Sequence, residues 1–80
     1  MRINKVGSNM TELVRSSGVV VLFSYSTPVA ALLPSGQYVK TDRKYSVTTT
    51  KHVNKWVGGN VEAKSQDYIN ELAGGIERSI

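Results

Sequence analysis

Cysteine is absent from this 80-residue sequence, and the only histidine is His52. Without a thiol, the chain cannot form a disulfide, a thiolate nucleophile or a sulfur-ligated zinc or iron site. His52 has no histidine partner and no neighbouring group of carboxylates, so we predict neither a metal site nor a cofactor. A reducing cytoplasm is the expected compartment for a chain of this composition.

Long apolar runs and nucleotide-binding loops are also missing. The longest apolar run, residues 18–23, is far shorter than the roughly 20 residues of a membrane-spanning helix. No basic segment followed by an apolar segment opens the chain, so we expect neither export nor membrane insertion. The sequence lacks the glycine-rich patterns of phosphate-binding loops. Its glycine pairs at 58–59 and 74–75 follow predicted helices, where they are typical of helix ends.

Groups for acid–base or nucleophilic catalysis are sparse. The six acidic residues are scattered, and the acids nearest to His52, Asp42 and Glu62, each lie ten positions away. A nucleophilic site would need a serine or threonine beside His52 together with an orienting acid. The pattern favours His52 as a residue at the edge of a helix that contacts Thr49 or the sheet. We therefore expect no enzyme activity.

The composition is that of a small globular domain. With 40% apolar and 20% charged residues, the chain lacks the low hydropathy and high charge that are typical of disorder. A chain this short has room for only one core, so we predict a single domain over residues 1–80. The folded core is expected over residues 3–73, and residues 74–80 are expected to form a frayed tail.

Alternating and β-branched segments predict a sheet. Gly18 closes a three-residue link of the hairpin type, the Thr27-Pro28 pair predicts a bend or bulge, and the segment 34–36 predicts a tight turn. The run after Gly18 is apolar enough for a central strand with both faces covered. The predicted strands are residues 3–6, 11–15, 19–26, 29–33, 37–41 and 44–48.

After residue 48 the apolar pattern changes to the period of a helix. At about 100° per residue, Val53, Trp56 and Val57 fall on one helical face. Thr49 or Thr50 is the candidate N-cap, because a threonine hydroxyl can accept a hydrogen bond from a free first-turn N–H. The opposite face carries Lys51, Asn54 and Lys55.

A second short helix is predicted near the end of the chain. Ser65 is its candidate N-cap, and Asp67 in the first turn suits the helix dipole. Tyr68, Ile69 and Leu72 share one face. The predicted fold class is therefore α+β: an antiparallel β-meander of four to six strands with two short helices packed on one face.

Positive charge is concentrated in the middle of the chain. The net charge is +4, and residues 40–55 contain five cations against the single acid Asp42. Such a block attracts phosphate or an acidic protein surface, although an ordinary solvated lysine face is the alternative. The candidate residues for binding a partner or nucleic acid are Lys40, Arg43, Lys44, Lys51, Asn54 and Lys55.

Three tyrosines are candidates for stacking on nucleic-acid bases. Tyr25, Tyr38 and Tyr45 all fall on predicted strands. Aromatic side chains on an open sheet face can stack on single-stranded bases. The alternative is half-buried packing with a solvated hydroxyl. Trp56, in contrast, shares its predicted helical face with apolar residues, so we expect it to be buried against the sheet.

Several segments carry a resemblance that extends, in one order, over residues 3–73. They are VGSNMTELV, VVLFSYSTPVAALLPSGQYVKTD, RKYSVTTTKHVNKWV and SQDYINELA. These segments resemble a family of small, functionally uncharacterised tailed-phage proteins with LFSYxTPVA and YSVTTxKHxNKW motifs. The chain has Tyr45 where relatives often carry tryptophan, an exchange that keeps an aromatic side chain.

The resemblance implies an accessory protein that acts by binding in the cytoplasm of an infected bacterial host. Two hypotheses follow. The first is a stoichiometric, anti-CRISPR-like inhibitor that binds a host protein or nucleoprotein complex which handles nucleic acid. The second is a small basic DNA- or RNA-binding accessory protein that uses the 40–55 block. An edge strand could also pair with its copy to form a homodimer.

Overall fold

A computed structural model describes residues 2–59 and 61–74 as a six-stranded sheet with two helices. Neighbours in the chain are neighbours in the sheet, whose order is β1-β2-β3-β4-β5-β6. The α+β class and the strand number are confirmed. Neither helix in this part of the chain is long and apolar enough to span a membrane. The elements are β1 Arg2–Gly7, β2 Met10–Val14, β3 Val20–Ser24, β4 Thr27–Leu32, β5 Tyr38–Thr41, α1 Val47–Val57, β6 Glu62–Lys64 and α2 Gln66–Leu72.

The β2–β3 hairpin forms as its glycine predicts. Gly18 has φ +95°, a left-handed conformation that costs glycine little. The Gly18 N–H donates to the Arg15 carbonyl at 3.0 Å, and the Arg15 N–H donates to the Val19 carbonyl at 2.9 Å. These bonds close the link and bring Val14 opposite Val20.

The chain reverses between β3 and β4 earlier than predicted. The turn consists of Tyr25 and Ser26, and it brings Ser24 opposite Thr27. Tyr25 has φ +60°, and its N–H donates to the Asn9 carbonyl at 2.7 Å, so the neighbouring β1–β2 turn holds it in place. The predicted strand through residue 26 is therefore too long, because a Tyr-Ser turn lacks the usual glycine, proline or asparagine signal. The bulge predicted near Pro28 is confirmed, since the register shifts directly after it: Phe23 lies opposite Pro28, Leu22 lies opposite Ala30, and Val29 is the extra residue.

The two helices cover opposite faces of the sheet. Adjacent strand residues point to opposite faces, and Val21 packs with α2 residue Ile69 whereas Leu22 packs with α1 residue Val53. The prediction that both helices lie on one face is wrong. The consecutive apolar residues of β3 are the sequence feature that reflects this arrangement, since such a strand is buried on both faces.

The segment predicted as a sixth strand, residues 44–48, instead leads into a helix. Ser46 has extended dihedral angles, φ −116° and ψ 167°, and its Oγ accepts a hydrogen bond from the Thr49 N–H at 3.1 Å. Ser46 is thus the N-cap, and the prediction of Thr49 or Thr50 is wrong. The alternation of Tyr45 and Val47 resembled a strand, but a cap can start a helix even where residues have β propensity.

The opposite end of α1 is as predicted. Gly58 lies in the left-handed conformation with φ +78°, and its N–H donates to the Asn54 carbonyl at 3.0 Å. This bond satisfies a carbonyl that the last helical turn leaves free.

Removal of the Ser46 cap provides a direct test of where α1 begins. Ser46→Ala should lower the free energy of unfolding by about 1 kcal/mol, because the Thr49 N–H loses its acceptor. Thr50→Ala, at the exposed position that the sequence also offered as a cap, should leave stability unchanged or raise it slightly through better helix propensity. Urea unfolding of both variants measures the difference. A larger loss for Thr50→Ala would place the helix start elsewhere.

The segment between α1 and α2 contains another strand, β6, which the sequence analysis missed. Its three residues pair in parallel with β5, with Val39 opposite Glu62 and Thr41 opposite Lys64. The strand is too short and too polar to show a β pattern. Lys64 Nζ lies 2.8 Å from Glu62 Oε2, and this hydrogen-bonded ion pair lowers the pKa of Glu62 and raises the pKa of Lys64.

The second helix follows its prediction closely. Ser65 Oγ accepts from the Tyr68 N–H at 3.2 Å, and Ile69 is fully buried. Arg15 from the end of β2 donates through Nη1 to the Leu72 carbonyl at 2.9 Å, at the C-terminal end of the helix. The predicted frayed tail, from residue 75 onward, lies outside the described residues.

The strands β1 and β6 form the two edges of the sheet. On β1, Ile3 is 68% exposed and Val6 is also exposed. Because β6 has only three residues, β1 is the edge that a homodimer would use. Self-pairing would bring together Arg2 and Lys5 from both copies, which repel one another. The edge-strand homodimer stays a prediction.

Candidate functional site

The inward face of α1 is the one that the sequence predicts. Val53 and Val57 are buried against the sheet as predicted. Trp56 packs against the same cluster but remains partly exposed, so its predicted burial is incomplete. The indole Nε1 donates to Glu12 Oε2 at 2.7 Å. The Trp56 ring also meets the Tyr38 ring edge to face, with centroids 5.4 Å apart. These contacts fix the rotation of α1 about its axis, and with it the direction of every polar side chain on the helix.

Four of the six candidate binding residues meet at one cleft, which we call the loop cleft. It lies between β5, the loop 42–46 and α1, and has a volume of about 260 Å³. Val53, Thr49 and Ala63 belong to its lining. The four candidate residues are Lys40, Arg43, Lys44 and Asn54.

The other two candidate residues, Lys51 and Lys55, lie on the opposite flank of α1. They line a second concavity of about 420 Å³, which we call the hairpin groove because the turn between β1 and β2 forms its far wall. Its lining combines the apolar side chains of Met10 and Trp56 with the two ammonium groups. The six residues therefore do not form one continuous site: α1 separates the loop cleft from the hairpin groove.

The cations of both concavities form no ion pair within residues 2–59 and 61–74. In the part of the chain that the structure describes, no carboxylate lies within ion-pair distance of Lys40, Arg43, Lys44, Lys51 or Lys55. Asp42 also lines the loop cleft but forms no ion pair there. Positive charge is therefore present on both flanks of α1.

The three candidate tyrosines lie in different parts of the structure. Tyr38 lies on β5 as predicted, but its ring packs on Trp56. Tyr25 lies in the β3–β4 turn and Tyr45 lies in the loop before α1, so their predicted strand positions are wrong. Both are exposed, and Tyr45 uses its hydroxyl to donate to Gln66 Oε1 at 2.8 Å. Because helices cover both faces of the sheet, these residues do not form a stacking platform on an open sheet.

His52 contacts the sheet through a serine that the sequence analysis did not place beside it. Its Nδ1 lies 2.9 Å from Ser24 Oγ, which also lies 3.1 Å from Thr49 Oγ1. Ser24 is only 2% exposed, so a substrate cannot reach its hydroxyl. No acid contacts the His52 ring among the residues that the structure describes, and this part of the chain contains no cluster of metal-binding side chains. The arrangement joins α1 to β3 and lacks the features of a catalytic triad.

Gln66 is a buried polar residue whose hydrogen-bonding role the sequence analysis missed. Its Nε2 donates to the Pro28 carbonyl at 2.7 Å and to Asn70 Oδ1 at 3.0 Å. Its Oε1 accepts from Thr41 Oγ1 at 2.7 Å and from the Tyr45 hydroxyl at 2.8 Å. A glutamine in the first turn of a helix carries no sequence signal for such a role.

The bonds of Gln66 also position the wall of the loop cleft. Thr41 Oγ1, held by Gln66, accepts from the Arg43 N–H at 3.1 Å. Tyr45, also held by Gln66, lies directly after Lys44. The loop that carries two of the cleft's cations is therefore tied at both ends to one buried side chain.

A comparison with protein families places the whole site inside a known family. The sequence model of one family matches residues 1–71. The chain belongs to DUF8033, a family of unknown function. The match covers every strand, all of α1, and all of α2 except Leu72. The loop cleft and the hairpin groove therefore lie within the DUF8033 domain. No curated protein and no solved structure matches this DUF8033 chain.

Proposed function

We propose that this DUF8033 protein is a non-enzymatic accessory protein that binds a host macromolecule stoichiometrically. The favoured role is inhibition of a host complex that handles nucleic acid, such as a CRISPR-type defence complex. The observation that supports this role is a set of five cations on the two flanks of α1 that form no ion pair with any described residue. A complex that handles nucleic acid presents the phosphate groups of its bound strand, which such cations can contact.

The hairpin groove favours a protein partner over nucleic acid alone. Its apolar lining by Met10 and Trp56 can receive an apolar side chain, while Lys51 and Lys55 can attract acidic residues around it. At the start of α1, Val47 is 73% exposed and offers another apolar contact. A surface that mixes apolar and cationic groups in this way suits a protein interface.

The phage-type role rests on the sequence resemblance described above. A small phage accessory protein would act in the cytoplasm of the infected bacterial host. Its partner would be a host protein or nucleoprotein complex, without membrane contact and without a cofactor. A DUF8033 protein of 80 residues has ample surface for one such interface.

Direct DNA or RNA binding is the second candidate function. The same five cations favour it, because each phosphate contact releases counterions and adds affinity. In that case the logarithm of affinity should fall with the logarithm of salt concentration, with a slope of about −0.7 to −0.9 per phosphate contact.

Charge reversal in the hairpin groove tests the protein-binding function. Tagged wild-type protein should retain a discrete host protein at one-to-one stoichiometry from a nuclease-treated bacterial lysate. The double variant K51E/K55E should retain roughly tenfold less of this host protein, or less still, because the introduced acidic groups would repel the acidic partner. Quantitative mass spectrometry of the retained material at ~50 mM and ~200 mM salt measures the effect.

The matched control is R2E/K5E, which makes the same change in net charge on edge strand β1. Neither residue lines the loop cleft or the hairpin groove, so this variant should retain the partner. Recovery of nucleic acid alone from an untreated lysate, with nothing left after nuclease, would support the second function instead. Equal losses in both double variants would show that only net charge matters.

A further inference from the structure

The loop cleft contains a lysine in an unusual position. Lys40 lies on β5 opposite Ala63 of β6 and is only partly exposed. Its side chain lies on the face of the sheet that α1 covers, since its neighbour Val39 packs in the α2 cluster. No carboxylate of the described residues lies within ion-pair distance. The ammonium group of Lys40 is therefore available to an anion that enters the cleft.

The groups around Lys40 supply hydrogen-bond donors of several kinds. Arg43 offers the planar fork of a guanidinium, and Lys44 offers a second ammonium group. Across the cleft, α1 contributes the Thr50 hydroxyl and the Asn54 amide. Asp42 lines the same cleft, and one acid against three cations leaves a net charge of +2.

This donor set matches a phosphate group better than a carboxylate. A phosphate presents three or more acceptor oxygens and can bind a guanidinium in bidentate fashion while others of its oxygens reach the lysines. A carboxylate has only two oxygens and would leave part of the donor set unused. The volume of about 260 Å³ is below the range of about 300–1,000 Å³ that is typical of sites for whole small ligands. The cleft therefore suits one anionic group whose remaining atoms lie outside.

The cleft is also held in shape before any ligand arrives. Gln66 fixes Thr41 and Tyr45, which flank the loop, and Thr41 in turn binds the Arg43 N–H. The opposite wall is a regular helix. A preorganised backbone reduces the conformational entropy that is lost when the loop side chains bind an anion.

We propose that the loop cleft binds the phosphate group of a nucleotide or of a nucleic-acid strand. Arg43 and Lys44 contact the phosphate from the loop, Lys40 neutralises it from the sheet, and Thr50 and Asn54 donate from α1. The inference stands apart from the protein contact assigned to the hairpin groove, because α1 separates the two concavities. A partner complex that holds nucleic acid offers both kinds of contact at once.

Titrations followed by amide NMR test the proposal. The probes are inorganic phosphate, adenosine 5′-monophosphate, a ten-residue oligothymidylate and a ten-residue oligoglutamate, each added at constant ionic strength. Phosphate and the nucleotide should shift the amides of Arg43, Lys44, Thr50 and Asn54 in a saturable manner. A strand as the source predicts roughly tenfold tighter binding of oligothymidylate than of the mononucleotide, and a free nucleotide as the source predicts no such gain.

Variants distinguish specific binding at the loop cleft from nonspecific attraction by positive charge. R43A/K44A should weaken phosphate and nucleotide binding about tenfold or more, because two charge-assisted contacts are lost. Lys40→Met, which keeps a long apolar stem, should also weaken binding while preserving the fold. The matched control R2A/K5A removes the same two charges from β1 and should bind as wild type does. The dispersion of each amide spectrum shows whether the variant is folded.

Three results would overturn the proposal. The first is an absence of saturable shifts at the cleft with either phosphate or nucleotide. The second is binding of oligoglutamate as tight as that of oligothymidylate, which would assign the cleft to acidic protein. The third is an equal loss in R2A/K5A and R43A/K44A. A failure of R43A/K44A to weaken phosphate binding overturns this proposal, whereas a failure of K51E/K55E to lose the host protein overturns only the protein contact, so the two proposals fail independently.

Discussion

Replacement of Leu22 with alanine is expected to lower the free energy of unfolding by about 3 kcal/mol, within the roughly 2–5 kcal/mol typical of such core truncations. Leu22 is fully buried on central strand β3, where it packs with Met10, Ala30 and Val53. Alanine leaves a cavity between the sheet and α1, and close-packed neighbours collapse into it only in part. A chain of 80 residues has a total stability of about 4–12 kcal/mol, so the loss is a large fraction of the whole.

Urea unfolding measures this change as a lower midpoint at an unchanged slope. The control is Ile3→Ala on edge strand β1, where the side chain is largely in water and stability should change by less than about 1 kcal/mol. If Leu22→Ala proved as mild as Ile3→Ala, the placement of Leu22 beneath α1 would be wrong.

Replacement of Gln66 with alanine should have the second-largest effect, a loss of about 2–4 kcal/mol. The change removes the acceptor of the buried Thr41 hydroxyl and the donor to the Pro28 carbonyl. A buried polar group that loses its partner keeps its desolvation cost, which exceeds the net value of the hydrogen bond itself. Because Gln66 holds both ends of the loop 42–46, the amides of Arg43 and Lys44 should also change in the NMR spectrum.

Two milder variants act as controls for Gln66→Ala. Tyr45→Phe removes one of the four bonds, and its exposed ring lets water reach the remaining partner, so the loss should be about 1 kcal/mol or less. Asp67→Ala alters the next residue of α2, which is exposed, and should change stability by about 0.5 kcal/mol or less through the helix dipole. Equal losses of stability in Gln66→Ala and Asp67→Ala would show that the hydrogen bonds of Gln66 contribute little to the fold.

The features that sequence analysis predicted correctly are those that depend on neighbouring residues. Gly18 and Gly58 occupy left-handed positions that any other residue would strain, so their places in the chain indicate a turn and a helix end. Burial of Val53 and Val57 follows from the helical period alone. Ser65 caps α2 because a serine before an amphipathic segment does so in most contexts.

The features that were missed depend on contacts between distant residues. Strand β6 is held by its parallel pairing with β5, although α1 separates the two strands in the sequence. The residues of β6 show no β pattern of their own. Gln66 finds Thr41 and Pro28 at separations of 25 and 38 residues. The β3–β4 turn forms at Tyr25 because Asn9 in another hairpin accepts its N–H. Patterns of neighbouring residues in the sequence do not identify these distant partners.

The candidate site shows the same division. The sequence located the cations and the outward face of α1 correctly, since the charge block and the helical period are both local. It did not show that Asn54 belongs to the loop cleft whereas Lys51 and Lys55 belong to the hairpin groove. That partition depends on which loops flank the helix, and therefore on the order of strands beneath it.

One helix of 11 residues serves both the interior of this protein and the surface proposed for binding. Its inward valines contribute to the stability of the core, whereas its outward lysines are exposed and contribute little to it. Substitutions on the outer side can therefore accumulate singly at little thermodynamic cost. The surface proposed for binding can thus change in sequence while the buried side of the helix and the fold stay the same.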